Sequence, residues 1–366
     1  MQAINPLLRD IRDNRLLWLL ALVPVLWAAK TLRPEAHTLL FVLSVLAIVP
    51  LAALLSHATE SVAAKTGDTI GGLLNATLGN LTELIIALTA LQAGQYMLVK
   101  ASIAGAIVTN TLFMLGASFL VGGLKHHVQE YNRSNARLQA GLLFLATIAL
   151  LIPSMLAEAD SATPEFTQTL SLGLSALLIA SYALSMLFSL KTHREFFGGS
   201  SHEESGEASW PMGLALITLA VVTVLVALVS EVFVESVQHA ATAFGMTPAF
   251  VGFIIVALVG GAAEMVSAFS GARKNRLDLS VGIALGSASQ IALFVAPVLV
   301  LISYVVGPAP MNLQFWPGAI AMMLIATVTA SLVTNSGRSA WFVGVLVVNV
   351  YLVFAMTLYL LPPQPN

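Results

Sequence analysis

Two glutamates, Glu83 and Glu264, stand in the middle of apolar segments long enough to enter a lipid bilayer. The first lies in GLLNATLGNLTELIIALTAL (72–91), the second in FVGFIIVALVGGAAEMVSAF (250–269). A charged side chain at a helix centre costs about 2.5–3.5 kcal/mol on insertion scales, so an intramembrane carboxylate calls for a function. Each is preceded by a pair of weak helix formers, Gly79-Asn80 and Gly260-Gly261. Such a pair bends or unwinds a helix and frees backbone carbonyls to face a cavity. Carboxylates, carbonyls and side-chain amides are hard oxygen ligands that suit Ca2+. The chain has no cysteine, and no histidine accompanies either glutamate, which argues against zinc or copper.

The two segments are copies of one unit. With Glu83 set on Glu264, Gly79 falls on Gly260. The following segments continue the match: SIAGAIVTNTLFMLG (102–116) aligns with GIALGSASQIALFVA (282–296), and Asn110 meets Gln290. Asn80, Asn110, Ser287 and Gln290 are placed to add side-chain oxygens or to orient the carboxylates. A single such helix would also fit a plain reading, with the glutamate paired to a lysine or bonded between helices and the glycines serving as a packing notch. Two copies of the same interruption favour a site.

The rest of the chain must position this pair. Of 366 residues 58% are hydrophobic and 9% charged, against roughly 25% charged in soluble domains, so the protein is an integral membrane protein. Apolar runs of roughly 20 residues indicate helices rather than a barrel. Eleven spans are expected, near 16–33, 37–57, 69–93, 98–122, 138–157, 168–190, 211–238, 248–271, 279–304, 315–334 and 339–361. The basic-then-apolar N-terminus lacks a convincing cleavage site and reads as an uncleaved first span. With the N-terminus cytoplasmic, 13 of the 16 Lys and Arg residues fall on that side, leaving Lys30, Arg33 and Lys100 outside. This bias places the C-terminus outside the cell (inner) membrane.

The division that follows is one extra N-terminal helix (1–35), a five-helix repeat (36–190), an acidic cytosolic linker (191–210) and a second five-helix repeat (211–366). An odd number of helices per repeat inverts the second copy, so the two glutamate helices cross in opposite directions. Inverted repeats with midplane sites on broken helices are the architecture of secondary transporters. The expected fold is therefore an all-α polytopic protein of eleven helices, one plus five plus five.

Two carboxylates carry a charge of −2, which one Ca2+ or two protons neutralise. An empty pair is costly in low dielectric. If the site crosses between faces only when neutralised, it exchanges one cargo for the other. Glu83 and Glu264 would then be both metal ligands and proton carriers, with Gly79, Asn80, Asn110, Gly260, Ser287 and Gln290 around them. Expected partners are the bilayer and inorganic cations, with no cofactor beyond the transported Ca2+ and H+. No basic-aromatic patch suggests nucleic acid. A monovalent Na+ or K+/H+ antiporter is the rival within transport, and a non-transporting sensor or scaffold the rival outside it. Nothing clusters into a hydrolase triad.

Other charged groups are weaker candidates. Glu231, with Glu235 in the seventh span, and Glu60, beside His57, Lys65 and Asp68, would mark entry paths, although charges at span ends are ordinary. His126 and His127 read as solvated. Glu203, Glu204 and Glu207 lie in the Gly/Ser-rich linker, where solvation is the simpler reading.

At these residues the sequence resembles the calcium/proton (cation/proton) antiporter family of the cation/Ca2+ exchanger superfamily. TGDTIGGLLNATLGNLTELIIAL (66–88) resembles its first repeat motif, FVGFIIVALVGGAAEMVSAF its second, and GIALGSASQIALFVAP (282–297) the helix after it. The resemblance covers about 37 to the end and implies that Glu83 and Glu264 are alternating Ca2+/H+ ligands. It also carries the flanking roles to Gly79, Asn80, Asn110, Gly260, Ser287 and Gln290. This chain departs from the second motif's usual Gly-Asn-Ala-Ala-Glu-His: Gly261 replaces the Asn and Met265 the His. Gly105-Ala106 stands where Gly-Ser is common. These changes bear on selectivity and pH dependence more than on the fold.

Overall fold

The computed structural model describes residues 5–156, 163–193 and 210–360. A short helix, Asn5–Asp13, precedes the membrane segments. Span 1 is Arg15–Leu32, span 2 His37–Ala63, span 4 Tyr96–His126, span 5 Arg133–Leu156 and span 6 Pro164–Thr192. Span 7 is Met212–Ala243, span 9 Leu277–Ile302, span 10 Pro317–Thr334 and span 11 Trp341–Leu360. Spans 3 and 8 are each two helices in series, Ile70–Leu78 with Leu81–Gln92 and Pro248–Gly260 with Ala262–Arg273. With each pair taken as one, the count of eleven matches the sequence expectation. The helix of span 6 runs on to Thr192, past the expected linker start at 191. Residues 194–209, with Glu203, Glu204 and Glu207, lie outside the described residues. Below, the face where span 1 begins is the near face and the opposite one the far face.

The two broken spans bend by 41° and 59°. The bends fall on the weak helix formers. Asn80 leaves helical geometry at φ −102° and ψ 34°, and Gly261 at φ −79° and ψ 7°. Glycine costs a helix about 1 kcal/mol relative to alanine, and asparagine competes with the backbone for hydrogen bonds, so the helix yields there first.

Spans 2 and 7 pack against each other, with Phe41 stacked on Phe233 at 5.5 Å. Both ends of this pair are tied by histidines. His37 stacks on His239 at 4.2 Å at the far face. At the near face His57 packs on the wholly buried Trp210 at 4.4 Å, and Trp210 Nε1 donates to Asp10 at 2.6 Å. Asp10 thereby fastens the N-terminal helix to the start of span 7.

Spans 4 and 8 approach closely in their far-face halves. A Cβ on Gly105 would lie 2.2 Å from the Phe253 carbonyl oxygen, so only glycine lets these backbones meet. The loop from 303 to 316 covers the far ends of spans 4, 5 and 6. Lys100 Nζ donates to Asn312 Oδ1 at 2.6 Å, Leu313 N to Ser171 Oγ at 3.0 Å and Phe315 N to Ser154 Oγ at 2.9 Å. At the near face a strand β1 (Val128–Glu130) pairs antiparallel with β2 (Arg338–Ala340), joining the turns after spans 4 and 10.

Candidate cation site

The bends of spans 3 and 8 bring the sequence-derived residues together. Glu83, in the first turn after the span 3 break, lies over the span 8 break: a Cβ on Gly260 would be 2.9 Å from Glu83 Cγ. Across the site, Gln290 of span 9 lies over the other break, where a Cβ on Gly79 would be 3.3 Å from Gln290 Oε1. Each break is thus crossed by a polar side chain from the opposite half of the chain. The glycines make room for them.

Three side chains lock the two halves. Asn110 Nδ2 donates to Ser287 Oγ at 2.8 Å, and Ser287 Oγ donates to Asn80 Oδ1 at 2.7 Å. All three are buried. Asn110 and Gln290 also sit at the starts of matching π-helical turns, Thr109–Met114 in span 4 and Ile291–Val295 in span 9. A π-turn inserts one residue into the helix and turns the following side chains, a device common at functional sites. Glu264 lies within electrostatic reach of Glu83, Ser287 and Glu60. Its Oε2 has no hydrogen-bond partner, and neither have Asn80 Nδ2 and Gln290 Nε2. Buried polar atoms are normally satisfied, so Glu264 Oε2 marks where a cation or proton belongs, and the two amide nitrogens face the site as open donors. No group of three or more His, Cys, Asp or Glu able to hold a metal occurs among the described residues. The donor set is two carboxylates with amide oxygens and a hydroxyl, an oxygen environment that fits Ca2+ as a cargo.

Access differs between faces. The far-face halves of the broken spans are sealed: Ile86, Ala90, Leu91, Val251, Phe253 and Ala257 are buried. A narrow pocket beside Glu83 on that side is walled by Ala87, Ser102, Ala106, Ala257 and Ile291, all but one apolar. The exposed large apolar side chains of these two spans lie in their near-face halves, Ile70 and Leu73 in span 3 and Val266 in span 8.

Glu60 is exposed at the near end of span 2 and accepts from Ser56 Oγ at 3.2 Å. Glu231 does not join the pair. It is exposed on span 7, and one turn on Glu235 pairs with Lys30 of span 1 at 2.9 Å. Nor are His126 and Lys125 free in solvent: both bind the Arg273 carbonyl at 3.0 Å, at the end of the helix that carries Glu264.

Sequence reasoning missed Tyr182, whose hydroxyl donates to the Ala76 carbonyl at 2.5 Å just before the span 3 break. A lone tyrosine in an apolar span carries no periodic signal. Met265 also gains a place. Its Cε is 3.4 Å from where a Cβ on Gly261 would stand, so the thioether methyl occupies space beside the missing side chain.

Comparison with known proteins places the fold in a family. The model of the sodium/calcium exchanger protein family matches residues 36–191 and 214–360. A Ca2+/H+ antiporter of Aphanothece halophytica is 39% identical over 342 residues, covering 89% of this chain and 91% of that protein. The Ca2+/H+ antiporter ChaA of Bacillus subtilis is 39% identical over 353 residues, covering 95% of this chain and all (100%) of that protein. Among solved structures, native YfkE superposes with a TM-score of 0.81 at 37% identity, covering 93% of this chain and 98% of that one. The chain belongs to the sodium/calcium exchanger protein family.

Proposed function

We propose that this protein is a secondary transporter that exchanges Ca2+ for H+ at a single site formed by Glu83 and Glu264. The carrying observation is the crossing of the two breaks: Glu83 lies over Gly260 and Gln290 over Gly79, with Asn80, Ser287 and Asn110 bonded between them. Two carboxylates at one place must be neutralised before a low-dielectric passage can accept them. One Ca2+ does this, and so do two protons. The charge of the site therefore couples the cargoes without further machinery. The relatives named as Ca2+/H+ antiporters support the same pair of ions.

The two repeats are taken as 36–190 and 211–366, a division supported by the two stretches that the family model matches. The near face is the cytoplasmic one, supported by the Lys and Arg bias, and the C-terminus is outside. The described conformation then opens towards the cytoplasm, with Glu60 at the mouth and the far side sealed by the buried halves of spans 3 and 8. Ca2+ enters there and leaves outward, while protons return.

The test is ion-driven proton flux in proteoliposomes with Ca2+, Mn2+, Na+ and K+ compared in turn. Ca2+-driven flux that survives in the absence of Na+ and K+ is expected. Flux driven by Na+ alone would move the protein to monovalent exchange, and no flux with any cation would end the transport reading.

A further inference from the structure

Near each break, one carbonyl tells the two halves apart. Ala76 and Ala257 occupy the same position in the two repeats, four residues before the residue at which each helix breaks. In span 8, Ala257 O keeps its helical partner and accepts from Gly261 N at 3.1 Å. In span 3 the Ala76 carbonyl accepts from the Tyr182 hydroxyl of span 6 at 2.5 Å. A carbonyl at a helix end needs a partner from outside the helix, and here a side chain supplies it. The Tyr182 ring is held independently of span 3, packed on Phe294 in the π-turn of span 9 at 5.5 Å. One turn further towards the near face, span 3 touches span 6 again, where a Cβ on Gly72 would be 2.6 Å from Leu190 Cδ2. The near-face half of span 3 is thus docked on span 6 at two places, and one of them is a hydrogen bond at the break itself.

We propose that Tyr182 is a positioning residue that latches the broken third span: its hydroxyl holds the Ala76 carbonyl in the described conformation, and yields it to the Asn80 N–H when the near-face half moves. Span 8 shows the second hydrogen bond already, with the equivalent carbonyl bonded to Gly261 N although that span bends by 59°, so the change of partner requires no straightening. The latch lets the carbonyl change partners without a stage in which it is unpaired, and so removes a cost that would otherwise fall on one of the two states. It also fixes Asn80, whose Oδ1 takes the Ser287 hydrogen bond. This inference rests on the exchange reading for its role in turnover, but the latch itself is read from the backbone.

The test is Tyr182→Phe, followed by hydrogen exchange of the peptide that contains residues 76–81 and by Ca2+/H+ exchange in proteoliposomes. With the hydroxyl gone, the Asn80 N–H claims Ala76 O, so amide exchange in that peptide slows at least about threefold. Turnover falls about tenfold, while the pH of half-maximal exchange, set by the two glutamates, stays in place. Phe294→Leu keeps the hydroxyl and should hold both readouts within about twofold of the parent. Unchanged or faster amide exchange in Tyr182→Phe overturns the latch, as does an equal effect from Phe294→Leu. A Tyr182→Phe protein that does not fold overturns it too, because the bond would then serve stability alone. Slower amide exchange in a protein whose parent moves no ions would retain the latch and reject the transport reading.

Discussion

Ser287 satisfies two amides with one hydroxyl, accepting from Asn110 and donating to Asn80. Ser287→Ala leaves a buried amide hydrogen and a buried amide oxygen without partners, a cost of about 1–3 kcal/mol. Both amides belong to the proposed site, so the loss should appear as a Ca2+ KM raised about tenfold, measured by exchange in proteoliposomes, with the protein still monodisperse. A KM within twofold of the parent would remove Ser287 from the site. At this scale the sequence was most legible. Residue types and register within the repeat named Glu83, Glu264, Asn80, Asn110, Ser287 and Gln290, and the fold brings them together. It was silent on Tyr182 and on the filling of the Gly261 space by Met265, because both depend on contacts between segments far apart in the chain. It also set Glu231 beside an entry path; in the fold this residue is exposed on span 7, a turn from the Lys30–Glu235 ion pair.

The elements divide between those that bend and those that hold. Spans 3 and 8 bend where Gly and Asn weaken them, and this was readable from the sequence. The π-turns at Thr109–Met114 and Ile291–Val295 were not, since neither TNTLFM nor IALFV holds a residue that calls for an inserted residue in the helix. Spans 4 and 8 must touch for Gly260 to reach Glu83, and Gly105 sets that contact. Gly105→Val puts a branched side chain against the Phe253 backbone, which cannot move aside as a side chain can. Overpacking typically costs about 1–3 kcal/mol, and a backbone clash falls at the upper end. Gly105→Val should therefore lower the thermal midpoint in a fluorescence size-exclusion assay by several degrees or more. Gly141→Val, at a position where an added Cβ meets nothing within 4 Å, should leave it unchanged. Equal behaviour of the two variants would show that the close approach of spans 4 and 8 is dispensable.

For the whole molecule, orientation and charge coupling make two predictions. On the proposed orientation, which rests on the Lys and Arg bias, alkaline phosphatase fused after Leu360 should be active and a green fluorescent protein fused there dark. The reverse pattern would make the near face the outer one. Competition at the site fixes the pH dependence. Protons occupy the carboxylates as pH falls, so apparent Ca2+ affinity weakens towards acid and strengthens towards base. One Ca2+ displaces up to two protons, so the logarithm of apparent affinity against pH should approach a slope of two on the acid side. A slope that never exceeds one would mean that only one of the two glutamates exchanges its proton for the cation.

The central claim is that one pair of carboxylates carries both cargoes. It is tested most directly by Ca2+-driven proton flux through proteoliposomes holding the parent, Glu83→Gln or Glu264→Gln, each checked for folding by size exclusion. Either substitution keeps the shape of the side chain and removes the charge that both ions share. The account predicts exchange in the parent and none above empty liposomes in each variant. Exchange at the parent's rate in either variant would contradict it.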